Sequence, residues 1–310
     1  MIDNVTLRLY DLPATYKVCS CKTFKLNYKS DVNTYRGKMK NMGVYQNLNC
    51  LVIHGSLPKY IQGENITPLN RAGVRLGMEN LEQDMGLSLK NAIVSSVEFG
   101  TSIITREKPF EYLNLFGYTK RLTRVEYSKW DGVETVNYTS ETGSFEFIAY
   151  DKIKEMFDKK QAIPSLFGGS NVLRLEYKIR QKRGIEAKFK DGLSAHELFD
   201  ENIYRKFQEL FFDAYKSIHK MGQLVYADNS KKMTPLVLRK LLAEQCRQSY
   251  PKEYRYFIQQ SKEAGKLSPK HLEQIRAENN KLGNNISVSE KSPLIAELDT
   301  LVYDGVMFGT

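Results

Sequence analysis

Two short segments carry side chains of the kind that does phosphoryl chemistry. In 145–152, strand alternation puts Phe145, Phe147 and Ala149 on one side and Glu146, Ile148, Tyr150 and Lys152 on the other. A tyrosine on the polar side, next to Asp151 and Lys152, can attack a phosphodiester to leave a 5′-phosphotyrosine and a free 3′-hydroxyl. A phenol ordinarily ionises near pH ~10, so a metal or a lysine must stabilise the charges that develop. Position alone does not single out Tyr150: the chain has 19 tyrosines, and a tyrosine at a strand end more often caps the core. The segment 173–180 divides in the same way. Leu173, Leu175, Tyr177 and Ile179 face one side, and Arg174, Glu176, Lys178 and Arg180 the other. Three cations around one carboxylate suit a phosphate-bearing surface with Glu176 as a metal ligand; a solvated sheet face laced with salt bridges has the same pattern. The basic run continues through Lys182, Arg183, Lys188 and Lys190.

Two further candidates lie upstream. Glu98 stands among Val94, Val97, Phe99 and Ile103 with Ser96, Gly100 and Ser102 on its own side, which leaves room for a metal or a substrate, or simply for water. His54 ends an apolar run; such a histidine is more often a satisfied loop or core residue than a ligand. His196, His219 and His271 are scattered without metal-ligand spacing. The stretch 55–65 reads as a compact polar turn in which Ser56, Lys59, Gly63 and Asn65 could surround a phosphate. No nucleotide-binding glycine motif occurs.

The elements that must position these residues are mixed in type. Alternation marks strands at 5–10, more loosely at 17–29, at 49–55, 94–104, 134–138, 144–150 and 171–180. A helix is expected from Thr67-Pro68 to about Leu89, a short charged one over 151–160, and a strongly amphipathic one over 197–220. Helices are also expected at 235–246 and 252–260, then a polar helical or flexible tail over 261–310. Without a regular βαβ rhythm this is an α+β chain, a central antiparallel sheet with flanking helices followed by a C-terminal helical region. Lys+Arg outnumber Asp+Glu by 46 to 36, a net charge of +10 that favours a polyanionic partner. Cys19, Cys21, Cys50 and Cys246 form neither a zinc knuckle nor a needed disulfide frame, so a reducing cytoplasm is expected. No long apolar run suggests a membrane span.

In their order these motifs resemble the gene II-like phage and plasmid rolling-circle replication initiators. The opening 1–9 looks like their start, 56–65 is similar to a family segment Ser-x-x-Lys-x-x-x-Gly-x-Asn, and Glu98 falls where they have an acidic strand residue. The segment 147–152 resembles the one bearing their catalytic tyrosine, with Ala149, Tyr150 and Lys152 alignable, and 173–179 looks like the Arg-x-Glu strand that follows. The resemblance covers about 1–185. It implies a nicking–joining domain over 1–190, a helical region at 191–260 that completes or extends it, and the tail. It further implies a fold related to the histidine-hydrophobe-histidine endonucleases, Mg²⁺ or Mn²⁺ as cofactor, and origin DNA, single-stranded or supercoiled, as partner. A host helicase and polymerase would follow, in the cytoplasm of a bacterial host. The His-x-His pair of those endonucleases is missing, so Glu98, Glu176 and His54 are the metal-ligand candidates. Tyr150 and Lys152 are the catalytic ones, and Lys59, Arg174, Lys178, Arg180, Lys182 and Arg183 the DNA contacts. Whether a second tyrosine, such as Tyr138, takes part is open. The alternatives are an origin-binding protein without catalysis and, less favoured for want of a histidine cluster, a mobilisation relaxase.

Overall fold

The computed structural model describes residues 1–30, 34–129, 132–220, 224–226, 251–288 and 293–308, with a few positions between 234 and 243. Its centre is a ten-stranded antiparallel sheet. The strands are β1 (Ile2–Tyr10), β2 (Phe24–Ser30), β3 (Thr34–Met39), β4 (Met42–Gln46), β5 (Cys50–Ser56), β6 (Ile93–Thr105), β7 (Thr123–Lys129), β8 (Gly132–Thr139), β9 (Phe145–Asp151) and β10 (Asn171–Ile179). The order is β2-β3-β4-β5-β1-β6-β10-β9-β8-β7. Two four-stranded meanders, β2 to β5 and β7 to β10, are therefore joined through the central pair β1 and β6.

Period-two alternation decides which face is buried. Val5, Leu7, Val44, Leu51, Ile53, Val97, Phe99, Leu173, Leu175 and Phe147 form one core with the helices laid on that face. These are α2 (Arg71–Met85), α3 (Pro109–Leu113), α5 (Lys182–Lys188) and α6 (Glu201–Ser217). The apolar stripe of α6 does what its spacing predicts: Phe207, Phe211 and Tyr215 are buried, with Phe207 against Phe99 and Phe189 at 4.8 and 5.2 Å between ring centroids.

The opposite face is largely open. Among the described residues it is closed at one end, where α4 (Lys152–Asp158) and the chain around 163–172 form a small second core of Ile66, Met156 and Val172. That cap over Val172 shelters the polar residues next along β10.

Several expectations are corrected. The polar turn at 56–65 is mostly helix: α1 (Leu57–Gln62) is capped by Ser56, whose hydroxyl accepts from the Lys59 amide, and ends at Gly63 in the left-handed region, φ 82°. Its first amides are thereby used locally. The helix expected from Thr67 starts at Arg71, because Asn70 caps it. β3, β4 and β7 do not stand out in the pattern: they are short and carry glycine or charge where β-branched residues would signal a strand. The tail divides. Helix Pro269–Asn285 is polar, whereas helix Pro293–Met307 buries Ile295, Leu298, Val302 and Val306 and packs on β6. The helix expected at 235–246 lies mostly outside the described residues. No helix among the described residues is long and apolar enough to cross a membrane.

Because the helices beyond residue 190 supply core to the sheet, Phe207→Ala should destabilise the protein by about 3–5 kcal/mol, read as a lowered urea midpoint. A midpoint within error of wild type would mean that α6 is not part of the folding core.

Candidate active site

On the open face, β10 carries Arg174, Glu176 and Lys178 in successive outward positions, as alternation requires. Register then supplies their neighbours. Arg174 lies between Ser102 of β6 and Tyr150 of β9, Glu176 between Gly100 and Ile148, and Lys178 between Glu98 and Glu146. Only glycine fits at 100: a Cβ there would lie 2.0 Å from the Leu175 carbonyl oxygen and 2.9 Å from the Glu176 Cα.

The remaining acid comes from a fault in β1. Pairing with β6 runs Ile2 to Phe99 but Val5 to Val97, so Asp3 and Asn4 together oppose Glu98. Such a bulge re-aims a side chain that alternation would send to the other face. Asp3 thereby joins Glu98 and Glu176, and one carboxylate oxygen from each lies within 4.8 Å of the others. The Asn4 amide donates to Glu98 Oε1 at 2.9 Å.

A buried network holds this group. The Arg174 guanidinium, completely enclosed, donates to Asp3 Oδ2 at 2.9 Å, Glu176 Oε1 at 3.2 Å and Ser102 Oγ at 3.1 Å. Asp3 also accepts from Ser56 Oγ at 2.5 Å and Asn65 Nδ2 at 3.0 Å. Lys152 Nζ, 1% exposed, donates to Asn65 Oδ1 at 3.1 Å and pairs with Glu155 at 2.9 Å. The Ser-x-x-Lys-x-x-x-Gly-x-Asn segment is thus a brace: Ser56 and Asn65 fix Asp3, Gly63 turns the chain between them, and Lys59 reaches Gln161.

Beside the network opens a cavity of about 370 Å³ lined by Tyr150, Glu176, Lys178, Lys154, Lys159 and Glu155, among others. Tyr150 donates its hydroxyl hydrogen to Glu176 Oε1 at 2.8 Å. Lys178 Nζ bridges Glu98 Oε2 at 2.8 Å and Glu176 Oε2 at 3.1 Å.

The charges are unequal in their consequences. Burial would raise Glu176, but Lys178 and Arg174 hold it down to about 2. Glu98 is pushed up to about 7, by burial first and then by the Glu176 charge, with Lys178 opposing. Burial and the Glu176 charge lift the Tyr150 phenol well above its ordinary value, so it rests neutral. Burial lowers Lys152, with Glu155 opposing.

The anticipated residues separate accordingly. Glu98, Glu176, Tyr150 and Lys178 converge. Lys152 stands behind them, 5.8 Å from the centroid of the Tyr150 ring. Arg174 is enclosed among carboxylates, so it is a strut and not a surface open to a phosphate. Arg180 pairs with Glu146, Lys182 lies 3.5 Å from Glu186, and Arg183 donates to Ser144 and Thr142, and none of the three lines the cavity. His54 is exposed on β5 opposite Thr6, outside the acidic group. Tyr138 is buried on the helix side with its hydroxyl on the Gly117 carbonyl at 2.6 Å, facing away from the site. Asp3 is the residue that sequence reasoning missed. Its signal is there: a carboxylate in the buried phase of the alternation Asp3, Val5, Leu7 is an anomaly that calls for a partner.

Three carboxylates against two cations leave an excess negative charge, and the donors that converge are all hard oxygens. That set fits Mg²⁺ or Mn²⁺ and not a thiolate- or imidazole-seeking metal.

The family model for the N-terminal part of the gene II replication-associated protein matches residues 1–196, which include Asp3, Glu98, Tyr150 and Glu176. Among solved structures, one described as a rolling circle replication initiator protein from Geobacillus stearothermophilus is similar at 11% identity and a TM-score of 0.38, over 78% of this chain and 94% of that one. No curated protein sequence matches significantly. With the family model spanning more than half of its length, the chain belongs to the gene II replication-associated protein family, the gene II-like rolling-circle replication initiators.

Proposed function

We propose that the protein is a metal-dependent, site-specific DNA endonuclease and strand transferase that nicks one strand at a replication origin through Tyr150 and later rejoins it. The observation that carries this reading is the Tyr150 hydroxyl placed on Glu176, at the edge of the three-carboxylate group and inside an open cavity. A cap on a sheet end would not need that setting.

In the forward step the Tyr150 oxygen bonds to phosphorus and the bond from phosphorus to the 3′-oxygen breaks. The product is a 5′-phosphotyrosine and a 3′-hydroxyl, which primes synthesis. The phenolic proton is directed at Glu176 Oε1, which Lys178 and Arg174 keep a weak base, so it passes on to water in the open cavity, and the leaving 3′-oxygen takes a proton back from that water to become the hydroxyl. Asp3, Glu98 and Glu176 would hold the divalent cation, Mg²⁺ or Mn²⁺, which supplies polarisation of the phosphodiester and relief of the negative charge. Lys178, 21% exposed at the cavity, can turn from the carboxylates to a non-bridging phosphate oxygen. Lys152 and Asn65 keep Asp3 in place and do not touch the substrate. Rejoining is the reverse attack of a 3′-hydroxyl on the phosphotyrosine. Host helicase and polymerase would act on the nicked product in the bacterial cytoplasm.

The test is a denaturing gel of protein incubated with labelled single-stranded DNA from its own replicon and Mg²⁺. Wild type is expected to form a covalent adduct that chelation abolishes. Tyr150→Phe should form none while changing stability by less than about 1 kcal/mol, because Glu176 keeps its other donors. An adduct that survives Tyr150→Phe would move the nucleophile elsewhere. Binding without any nick would leave an origin-binding protein.

Glu98 gives a second expectation. Its folded pKa, about 7, exceeds the unfolded value, so the carboxyl costs nothing below ~4.5 and its ionisation penalises the fold as pH rises to 7. Glu98→Gln should therefore melt like wild type at pH ~4.5 and gain about 1–3 kcal/mol at pH ~8 in metal-free buffer, with nicking impaired. Equal destabilisation at both pH values would show that Glu98 is a structural ion-pair partner alone.

A further inference from the structure

The open face continues well past the cavity, across β1, β5, β4, β3 and β2. Register places Lys25, Lys38, Gly43, His54, Thr6 and Ser96 in one row across the sheet, and Tyr28, Arg36, Tyr45, Val52 and Arg8 in the next. In β1, β3, β4 and β5 every second residue faces the core, so the rows are the outward set; the edge strand β2 is exposed from Lys25 to Lys29, and Lys25, Tyr28, Arg36, Lys38, His54 and Arg8 are all exposed.

The charge here has one sign. Between Phe24 and Ser56 the single acidic residue is Asp31, outside the described residues. No carboxylate pairs with Lys25, Arg36, Lys38 or Arg8 among the described residues, in contrast to the paired cations Lys178, Arg180 and Lys182 on and just after β10. Flat rings alternate with the cations. Tyr28 is 59% exposed, the Arg36 guanidinium lies over the Tyr45 ring at 5.7 Å, and the His54 imidazole lies over Gly43, where a Cβ would come within 2.3 Å of Nε2. The rows end at Asn4 and Glu98, one pleat from Thr6 and Ser96, at the three-carboxylate group.

We propose that this face is the track for single-stranded DNA leading to the cavity, with Arg8, Lys25, Arg36 and Lys38 on the phosphates and Tyr28, Tyr45 and His54 as stacking surfaces. The proposal rests on the nicking reading and names the form of its substrate. Cations without carboxylate partners, interleaved with open rings, suit a strand with unstacked bases, each of which has a π-face. Reading a duplex groove would take a protruding helix or ribbon, and this part of the sheet has none among its described residues. From β2 to β6 the track is five strand spacings wide, ~24 Å, enough to hold several nucleotides. His54 then serves as a platform instead of a metal ligand, and the basic end of the chain's first strands acquires a role that the run beyond Arg180 was expected to fill.

The test is fluorescence anisotropy of the full chain in EDTA with a labelled oligo-dT of about 20 nucleotides, the length of a long single-strand site. The combined variant Lys25→Gln, Arg36→Gln, Lys38→Gln should bind ~100-fold more weakly at about 0.1 M salt, with its log–log salt slope reduced by ~2. Lys120→Gln, Arg121→Gln, Lys216→Gln removes the same charge from the helix side and should bind within about threefold of wild type. Tyr28→Ala and Tyr45→Ala should each weaken binding about tenfold with the slope unchanged. Lys25, Tyr28, Arg36 and Lys38 are exposed and Tyr45 is half-buried, and thermal melting in the same buffer separates binding loss from unfolding. Equal losses in the two charge variants would reduce the effect to net charge and overturn the track. Tighter, equally track-dependent binding of a duplex of the same length would overturn the single-strand assignment. So would wild type that fails to bind the oligonucleotide. Binding is read without metal and nicking by the covalent adduct, so an intact adduct with an unaffected charge variant would sink the track and leave the nicking reading standing.

Discussion

A guanidinium with no exposure to water sits at the centre of this molecule. Left unpaired, Arg174 would cost several kcal/mol, so the fold must deliver carboxylates to it. Glu176 comes from its own strand, two residues on. Asp3 comes from a strand that would otherwise point it the wrong way, and the bulge at Asp3 and Asn4 makes the difference. Much of the surrounding chain then has a reason. Ser56 caps α1 and bonds Asp3, Asn65 joins Asp3 to buried Lys152, and the cluster of Ile66, Met156 and Val172 seals that end of the open face.

The same arrangement makes a site out of a structural core. Arg174 and Lys178 bring two positive charges to three carboxylates, and burial first, then the neighbouring Glu176 charge, delays the ionisation of Glu98 to about 7 in spite of Lys178. A fold selected for stability alone would replace such a group with apolar residues of similar volume. Keeping three acids together beside a tyrosine and an open cavity exchanges stability for an open polar site, the one proposed to bring a divalent cation and a phosphodiester together. The helices on the far side, α6 and Pro293–Met307 among them, bury a broad apolar core that offsets the cost.

How much of this is legible in the sequence depends on the range of the signal. Alternation in 145–150 and 173–179 identifies β9 and β10 and the sides of Tyr150, Glu176 and Lys178 correctly, because side-chain alternation along one strand is a local property. The stripe of α6 is equally plain. Burial of Arg174 is not: three cations on a strand face read as solvated, and Lys178 and Arg180 do keep exposure, but Arg174 is enclosed beside the cap formed with α4, which another part of the chain supplies. Asp3 shows in the sequence only as a carboxylate out of phase; the bulge that turns it to the open face breaks the period and is not itself a local signal. β3 and β4 carry the weakest local signals and become strands by pairing with neighbours, as β-propensity is set by context. With them goes the extent of the open basic face. The last helix, Pro293–Met307, looks like tail because the polar stretch before it dilutes its apolar pattern.

That Asp3, Glu98 and Glu176 form one divalent-cation site beside Tyr150 is tested most directly by a Mn²⁺ titration of the full chain followed by electron paramagnetic resonance. Wild type is compared with Glu98→Gln and Glu176→Gln. One saturable site is expected in wild type, weakened at least about tenfold in both variants, with Mg²⁺ competing for it. Mn²⁺ binding that is absent in wild type, or unchanged when either carboxylate is removed, would contradict the shared site.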